Sequence, residues 1–401
     1  MTQSFQPRNP SAILALGTAL PPYSASQETI ATWMASSYVD QPAVGRLIRT
    51  LYAYSGIERR YGCTTEYLQP PEVSRFAPGR ALHESPTTAE RLAIYEREAP
   101  ILGAAAARAA LARYATAADV DGDALPASIT HLIVVSCTGF FAPGLDFMIA
   151  RELGLAPTIS RTVIGFMGCS AAFNGLRMAA LIVAGDPHAR VLVVSVEICS
   201  LHIQPGAARD DLVSASLFAD GAAAALVGTP AAADRHYFRL DAFHTDMKPD
   251  TRDEMVWRIG DHGFTLHLSP RIPDHLATVA PAAVAQMTGG HAPDFWAIHP
   301  GGRAIVDSLQ QIFALEDSTV ATSRRVLSEC GNMSSATILF VLAEQMKTLA
   351  CSGQAATGVA MAFGPGLTIE MAQLSYAPGD AGAPNRAAFH HDVRLSMGTA
   401  T

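Results

Sequence analysis

Residues 163–183 have the sequence VIGFMGCSAAFNGLRMAALIV. The apolar start predicts a strand that ends in a tight turn at Gly168, and the small and apolar residues from Ala171 onward predict a helix. Runs rich in β-branched residues stand on either side, THLIVVS at 130–136 and RVLVVSV at 190–196, and each predicts a buried strand. This alternation of strands and helices indicates a layered α/β fold with a largely parallel sheet.

The same order of elements returns in the C-terminal part of the chain. Trp296–Ile298 predicts a strand end, and a further helix is predicted beyond the loop that starts at His299. We therefore expect two similar halves, residues 1–230 and 231–376, although no repeated sequence relates them. The composition of residues 377–401, rich in Pro, Gly and Ala, predicts a flexible tail.

The chain has 401 residues, of which 49% are hydrophobic and 16% charged. This composition supports a large core and leaves apolar surface to be covered, which is compatible with an obligate dimer interface. The net charge of −8 gives no overall basic field, which argues against a nucleic-acid partner. The polar N-terminus lacks the apolar region of a signal peptide, and no apolar run of membrane-spanning length is evident, so the sequence predicts a cytoplasmic protein without a membrane partner.

The cysteines predict free thiols and no metal site. None of them forms a CxxC pair or a close set with histidine, and a chain of this length does not need a disulfide framework. The six positions are Cys63, Cys137, Cys169, Cys199, Cys330 and Cys351.

Cys169 is a candidate nucleophile because it lies between a predicted strand and the helix that starts near Ala171. The positive end of the helix dipole and the unpaired N–H groups there favour the thiolate, which is the reactive form. The alternative is a small apolar side chain at a tight turn, and the local sequence leaves both interpretations open.

His299 in IHPGG and Asn332 in CGNMSSA are candidate polar partners of such a nucleophile. Taken alone, the histidine fits a loop residue bonded to backbone, and the asparagine fits a helix cap. Taken together with Cys169, they give an activated Cys–His pair and two donors for one oxygen. That combination suits thioester chemistry, in which the thiol accepts an acyl group and the donors stabilise an enolate.

Two further groups have both a functional and a structural interpretation. Gly364, Pro365 and Gly366 form a rigid turn that permits close backbone approach, or a plain β-turn. An arginine-rich group precedes the irregular residues 62–86, and it either binds the phosphates of coenzyme A or forms a solvated face. Its members are Arg46, Arg49, Arg59 and Arg60.

Five motifs resemble the chalcone synthase-like, or type III polyketide synthase, family in their order and spacing. The resemblance covers roughly residues 10–375. The motifs are FMGCSAA at 166–172, SLFADGAAAALVG at 216–228, WAIHPGG at 296–302, GNMSSATILF at 331–340 and AFGPG at 362–366.

The resemblance implies a thiolase-type αβαβα fold and a homodimer with one active site per subunit. It implies that Cys169 carries an acyl-CoA starter and the growing chain as a thioester, and that His299 helps to generate the thiolate. His299 and Asn332 would support malonyl-CoA decarboxylation and stabilise the enolate. The CoA thioesters are substrates, and no metal or redox cofactor is implied.

The resemblance also implies a set of cavity residues, and some of them depart from the plant enzymes. Phe218 matches one gatekeeper aromatic, the second falls at Leu266, and the 364–366 loop shapes the wall. Small hydroxyl residues of the plant cavity are replaced by Cys137, Cys199 and His202, and Ser334 is placed among the substrate-binding residues.

These departures favour a fatty acyl or small aliphatic starter and a pyrone or resorcinol/phenol-type product. The lysines that bind CoA phosphates in the plant enzymes have no clear match, which leaves Arg46 and Arg49. The sequence fixes neither the starter, nor the number of extensions, nor the mode of ring closure.

The alternatives are other condensing enzymes and a protein that has the fold without the activity. A ketoacyl-ACP synthase III would use the same Cys, His and Asn set, stop after one condensation and take a carrier protein. A thiolase would need a second catalytic cysteine near residue 363, which is absent. A non-catalytic binding protein on this fold would be expected to lose at least one of the three polar residues.

Overall fold

The structure is a computed structural model that describes residues 10–232, 234–378 and 393–395. Most of the predicted flexible tail, residues 377–401, therefore lies outside the described residues. The strands are β1 (Ala12–Leu20), β2 (Tyr23–Ser26), β3 (Arg59–Gly62), β4 (His131–Ser136), β5 (Ser160–Gly165), β6 (Val191–Ile198), β7 (Asp220–Gly228), β8 (Tyr237–Met247), β9 (Met255–Gly260), β10 (Gly263–Leu268), β11 (Phe295–Ile298), β12 (Ala356–Gly364), β13 (Thr368–Ala377) and β14 (Val393–Arg394).

The helices alternate with these strands over much of the chain. They are α1 (Gln27–Ser36), α2 (Pro42–Tyr54), α3 (Thr88–Ala118), α4 (Leu125–Ser128), α5 (Leu145–Glu152), α6 (Ala171–Gly185), α7 (Arg209–Leu217), α8 (Ile272–Thr288), α9 (Arg303–Ile312), α10 (Asp317–Cys330) and α11 (Thr337–Ser352).

The main sheet repeats one strand arrangement in each half of the chain. The N-terminal half runs β1-β7-β6-β4-β5, and the C-terminal half runs β8-β13-β12-β11. In both halves the first two neighbouring pairs are antiparallel and the third pair is parallel. The halves join where β1 pairs with β8 through Ala12–Arg239 and Ile13–Phe238. The expected similarity of the halves is therefore present in the topology.

The prediction of a largely parallel sheet is wrong, because the sheet is mixed. Strands β4 and β5, β4 and β6, and β11 and β12 pair in parallel, whereas β7 and β13 are antiparallel to both of their neighbours in the sheet. A continuous apolar run is typical of a strand in a parallel sheet, but the run shows only that both faces of the strand are buried. Here antiparallel strands are covered on both faces as well.

Three apolar clusters show five alternating layers. Helices α3 and α5 pack on the N-terminal half of the sheet, α6 and α11 fill the space between the two halves, and α8 and α9 cover the C-terminal half. Strand β6 shows the two-sided burial directly. Its Val191 and Val193 face the central helices, and Leu192 and Val194 face α3, as the two-residue period of a strand requires.

The alanine-rich part of α3 lies very close to β1. A Cβ atom on Gly17 would come within 2.3 Å of the Ala106 oxygen and closer still to the Ala110 nitrogen. Only glycine fits at this contact. The helix begins with a capping box in which Thr87 and Glu90 exchange hydrogen bonds.

Helix α6 lies in the central layer and carries Cys169 just before its start. Residues Gly168–Gly185 are long and apolar enough to cross a membrane, judged by length and composition only. Half of this segment is buried within the protein, and Phe173, Leu176 and Val183 belong to the central core. Core helices of this kind pass the same test, and the packing identifies α6 as one of them.

Candidate active site

Cys169 lies in a 3-10 turn, Gly168–Ser170, that leads directly into α6. Gly168 has φ of +74°, and its N–H donates a 3.1 Å hydrogen bond to the sulfur of Cys137. The Cys169 side chain is half-buried. The turn thus presents the thiol at the base of α6.

The Gly364-Pro365-Gly366 loop fits against this turn. A Cβ atom on Gly168 would lie 2.2 Å from Cδ of Pro365, and one on Gly364 would lie 2.4 Å from the Ser170 hydroxyl. The loop is therefore more than a surface turn, because its small residues allow it to contact the turn that holds the candidate nucleophile.

His299 follows β11, and only 1% of its surface is exposed. Its backbone N–H donates to the Met361 oxygen at 2.9 Å, which fixes the loop to β12. Within the described part of the chain, neither ring nitrogen has a hydrogen-bond partner. Burial lowers the pKa of His299 to about 3, so the resting imidazole is neutral.

Asn332 lies between α10 and α11, where its side-chain oxygen accepts a 2.9 Å hydrogen bond from the backbone N–H of Ser334. Its amide nitrogen donates to the Gly301 oxygen at 3.0 Å, in the loop that carries His299. The side chains of Asn332 and Ser334 are also close enough to the Cys169 thiol to lower its pKa. The amide is therefore oriented with its N–H groups toward the thiol and the histidine loop.

The expectation of a resting thiolate at Cys169 is not supported by its surroundings. Burial raises the pKa of the Cys169 thiol to about 12, and the charge of Glu197 adds to the rise. Hydrogen bonds from Ser334 and Asn332 lower the pKa, but by less than burial raises it. At rest the pair is a neutral thiol and a neutral imidazole.

Cys169, His299 and Asn332 line one cavity of about 340 Å³. Most of the residues predicted for the substrate line it too, whereas Gly364 and Gly366 support it from behind through Pro365 and the Cys169 turn. The predicted residues that line the cavity are Cys137, Cys199, His202, Phe218, Leu266, Ser334 and Pro365.

The hairpin of β9 and β10 forms one wall of this cavity. Leu266 pairs across the strands with Trp257, and Leu268 pairs with Met255, and all four line the cavity. The Trp257 N–H donates to the Cys137 oxygen at 2.9 Å, which fixes the indole. Sequence reasoning found only Leu266. The alternating apolar residues on both sides of a Gly-containing turn were the available signal for the other three.

His202 lines the cavity, and its ring is fixed in place by hydrogen bonds and by a neighbouring aromatic ring. Its Nε2 hydrogen-bonds to the Thr138 oxygen at 2.7 Å, its Nδ1 accepts from the Phe264 N–H at 3.1 Å, and its ring stacks on Phe264 at 3.9 Å. Burial lowers the pKa of His202 to about 3. Because both nitrogens are engaged and the ring is neutral, His202 contributes shape rather than acid–base chemistry.

The structure brings none of the four predicted arginines to the lining of the cavity. Arg46 and Arg49 are exposed on α2 and Arg59 is exposed on β3, whereas Arg60 is buried. Among the described residues that line the cavity, Arg209 at the start of α7 is the one with a charged side chain, and 58% of that side chain is exposed. Sequence reasoning missed it, since no neighbouring basic residue marks the position.

The six cysteines are free thiols, and the described residues contain no group of three His, Cys, Asp or Glu side chains that could hold a metal ion.

Comparison with known proteins places this site in a family. Residues 1–231 match the N-terminal domain and residues 240–376 the C-terminal domain of the family described as chalcone and stilbene synthases. The chain is 32% identical to bisdemethoxycurcumin synthase of rice, Oryza sativa subsp. japonica, over 379 residues, which are 90% of this chain and 91% of the relative. It is 35% identical over 252 residues to the alpha-pyrone synthesis polyketide synthase-like Pks18 of Mycobacterium tuberculosis, covering 61% and 64% of the two chains.

Two solved structures share the architecture. PKS-I of the brown alga Ectocarpus siliculosus superimposes with a TM-score of 0.81 at 28% identity, over 92% of this chain and 98% of that one. The C-terminal type III polyketide synthase domain of Steely1, a type I/III hybrid from Dictyostelium, gives a TM-score of 0.81 at 25% identity, over 92% and 100%. The thiolase-type layered fold is thereby established, and the ketoacyl-ACP synthase III alternative is not favoured. The chain belongs to the chalcone and stilbene synthase family and is a type III polyketide synthase, an acyltransferase that condenses malonyl-CoA.

Proposed function

We propose that Cys169, His299 and Asn332 are the catalytic residues of this polyketide synthase. The observation that carries the proposal is their convergence, because all three line one cavity. The Asn332 amide lowers the pKa of the thiol, and the imidazole has no hydrogen-bond partner among the described residues. Such a set can accept an acyl group on sulfur and stabilise an oxyanion beside it.

Loading of the starter begins with the neutral pair. As the sulfur of Cys169 attacks the carbonyl carbon of an acyl-CoA, its proton passes to the imidazole of His299. The new S–C bond forms, and the tetrahedral intermediate collapses by breaking the bond to the CoA sulfur, which takes the proton and leaves as the free thiol. Because the pKa of Cys169 is raised and that of His299 is lowered, proton transfer accompanies the attack.

In the extension step, N–H groups of His299 and Asn332 stabilise the oxygen of an enolate. When malonyl-CoA loses carbon dioxide, the electron pair of the broken C–C bond moves onto the thioester oxygen as an enolate. The N–H of neutral His299 and the amide N–H of Asn332 stabilise that oxygen. The enolate carbon then attacks the thioester on Cys169 and forms the new C–C bond as the C–S bond breaks. The departing thiolate takes up one proton from water, which restores the neutral thiol. A chain returned to Cys169 can be extended again before it cyclises.

We propose an aliphatic or fatty acyl starter and a pyrone or resorcinol/phenol-type product. The lining around Cys169 is largely apolar, with Leu266 at a gate position and cysteines at 137 and 199. The similarity to the alpha-pyrone synthesis protein Pks18 supports a pyrone as the product. Incubation of the purified enzyme with malonyl-CoA and a panel of starters, followed by mass spectrometry of the products, tests it. Turnover of aromatic starters alone, or release of a single β-ketoacyl product, would contradict the proposal.

The phosphates of CoA are assigned to the mouth of the cavity. Arg209 lies there with an exposed guanidinium, which suits phosphate oxygens. Arg46 and Arg49 lie on α2, which packs against α7, so they remain candidates only for the outer end of the ligand.

We propose that two chains form a homodimer through the β5 side of the molecule. Strand β5 is a sheet edge, and Val163 and Met167 are 50% and 46% exposed there, with Phe140 and Leu181 also exposed. A large apolar patch at an open edge is typical of an interface. Sedimentation should give twice the chain mass of 42.3 kDa. Monomeric behaviour at micromolar concentration would oppose the proposal.

We also propose a cytoplasmic enzyme that needs no metal or redox cofactor, with the acyl-CoA starter and malonyl-CoA as its substrates. Undiminished product formation after exhaustive dialysis against a chelator is the expected result, and a loss that only a metal ion restores would contradict it.

A further inference from the structure

Arg60 is a buried cation beside the active site that the proposed mechanism does not use. It lies on β3 with 4% of its surface exposed, whereas its neighbour Arg59 is exposed. One terminal nitrogen of Arg60 donates to two backbone oxygens, those of Ala215 at 2.7 Å and Phe218 at 2.8 Å. These carbonyls lie at the end of α7, where the helix dipole is negative, so a cation is favourable there.

The segment that Arg60 holds is bonded to the backbone of Asn332. The Asn332 N–H donates to the Leu217 oxygen at 3.0 Å, and the Ala219 N–H donates to the Asn332 oxygen at 2.8 Å. Together they form a parallel bridge between Phe218 and Asn332. Both backbone groups of Asn332 therefore depend on the segment that follows α7.

The stem of Arg60 also contacts the residue on the other side of this bridge. A Cβ atom on Gly331, which has φ of +75°, would lie 3.0 Å from Cγ of Arg60. Its Nε and its second terminal nitrogen have no acceptor among the described residues. Burying a guanidinium with unused donors costs more than burying an apolar side chain of similar length. The guanidinium also lies over the Tyr52 ring at 5.3 Å, and its charge acts on the buried Asp220, so the cation is tied to the β3–α7 region by several contacts.

We propose that Arg60 is a positioning residue for malonyl decarboxylation. By holding the carbonyls of Ala215 and Phe218, it fixes the bridge to Asn332, and with it the direction of the Asn332 amide and the place of the Phe218 ring in the cavity wall. The proposal rests on the proposed role of Asn332. A misplacement of about 1 Å at a catalytic group lowers the rate by about 10²-fold, so a small shift of the bridge is enough to be measured.

The test compares Arg60→Met and Arg60→Lys with Arg59→Met as the matched control. Arg59 is adjacent and exposed, and its Nη1 donates to the hydroxyl of Ser24 at 3.2 Å. Three quantities are measured for each folded variant: carbon dioxide release from malonyl-CoA without starter, acylation of Cys169 by an acyl-CoA followed by intact mass, and the melting temperature. The third measurement shows whether a variant is folded at the assay temperature.

For Arg60→Met we expect kcat for carbon dioxide release to fall about 10- to 100-fold, while the KM for malonyl-CoA and the acylation rate stay within about twofold. Arg60→Lys keeps the charge but loses the planar fork, so a smaller fall of about threefold is expected. Arg59→Met should match the wild type in all three measurements.

A wild-type rate of carbon dioxide release in folded Arg60→Met would overturn the proposal, and so would an equal fall in decarboxylation and acylation. If Arg60→Met does not fold, the test rests on Arg60→Lys. A wild-type rate of carbon dioxide release in Arg60→Lys would show that the planar guanidinium is not needed, and this would contradict the proposal. Asn332→Ala measured in parallel separates the two proposals. If Asn332→Ala releases carbon dioxide at the wild-type rate, the role of Asn332 itself is rejected. If Asn332→Ala loses this activity but folded Arg60→Met keeps it, only the role of Arg60 is rejected.

Discussion

The backbone N–H of Ser334 donates a 2.9 Å hydrogen bond to the side-chain oxygen of Asn332, and Ser334 has φ of +48°. A non-glycine residue in this left-handed region costs about 1–3 kcal/mol, which the surrounding fold must offset. The bond holds the amide oxygen away from the cavity. The amide nitrogen is left to donate to the Gly301 carbonyl, and the amide lowers the pKa of the Cys169 thiol.

Replacement of Asn332 by Asp keeps the shape of the side chain and removes the amide donor. The ionised carboxylate would lie near the developing enolate and oppose its charge, so we expect carbon dioxide release from malonyl-CoA to fall by about 10²–10³-fold. Acylation of Cys169 by the starter should fall much less, since the sulfur and His299 are intact. Radiolabelled malonyl-CoA without starter measures the first step, and intact mass the second. Equal losses in both steps would contradict the assigned role.

Replacement of Cys169 by Ala removes the sulfur on which the starter is loaded. We expect no extended product at all, because no thioester can form for the enolate to attack. Residual carbon dioxide release from malonyl-CoA is compatible with this result, as His299 and Asn332 remain. Product analysis by mass spectrometry checks it, and normal polyketide formation by the variant would refute the role of Cys169.

Alkylation of Cys169 by iodoacetamide should report a neutral thiol at rest. Since burial raises its pKa to about 12 and lowers the pKa of His299 to about 3, no Cys–His ion pair forms near neutral pH. The labelling rate should therefore rise about tenfold per pH unit between pH 6 and 9, in proportion to the thiolate fraction. Peptide mass spectrometry distinguishes Cys169 from the exposed Cys351. A rate that is already constant above pH 7 would show a resting ion pair instead.

The sequence predicted the strands and helices around Cys169 well, because their apolar runs and turns are local signals. Strands β4 and β6 and helix α6 lie close to their predicted positions. The direction of β7 and β13 was not predictable in this way, since burial on both faces gives the same apolar pattern in either direction. Pairing direction depends on how distant segments meet, and no short run of residues encodes it.

The site shows the same division between local and distant information. Cys169 and His299 stand at turns after strands, which the sequence marks, but their meeting at one cavity depends on the packing of both halves. The sequence does not distinguish Arg60 from Arg46, yet Arg60 is buried and Arg46 is exposed. Trp257 was overlooked because its role follows from its cross-strand neighbour, Leu266.

Glu197 should make the protein less stable as the pH rises toward neutrality. Burial raises its pKa from 4.5 to about 7, so the folded protein binds this proton more tightly than the unfolded chain does. The stabilisation is present below pH 4.5 and is lost as the pH rises through 7, a change of about 3 kcal/mol. Urea unfolding at pH 4.5 and 7.5 should show this change in the wild type relative to Glu197→Gln, which does not titrate. A difference between the two proteins that is independent of pH would contradict it.

Replacement of Trp257 by Ala should lengthen the polyketide. The indole is the largest side chain that lines the cavity, and its removal opens space beside Cys137 and Leu266. We expect the main product to contain at least one more malonyl-derived unit, as measured by mass spectrometry with a fixed starter. Arg258→Ala is the control, because Arg258 is the exposed neighbour on the same strand. An unchanged product with a folded Trp257→Ala enzyme would show that the space next to Trp257 does not limit extension.

Replacement of Arg209 by Ala should weaken only those substrates that carry the CoA phosphates. The guanidinium lies at the cavity mouth and is more than half exposed, so solvent screening limits its contribution and we expect KM for malonyl-CoA to rise about 3- to 10-fold. N-acetylcysteamine thioesters of the same acyl groups lack phosphates, and their KM should not change. Arg209→Lys should restore part of the affinity, since the charge remains.

Arg46→Ala serves as the comparison on α2. If it raised KM for malonyl-CoA while Arg209→Ala did not, the phosphates would bind along α2. If Arg209→Ala weakened both kinds of thioester equally, the residue would act on the shape of the mouth and not on the phosphates.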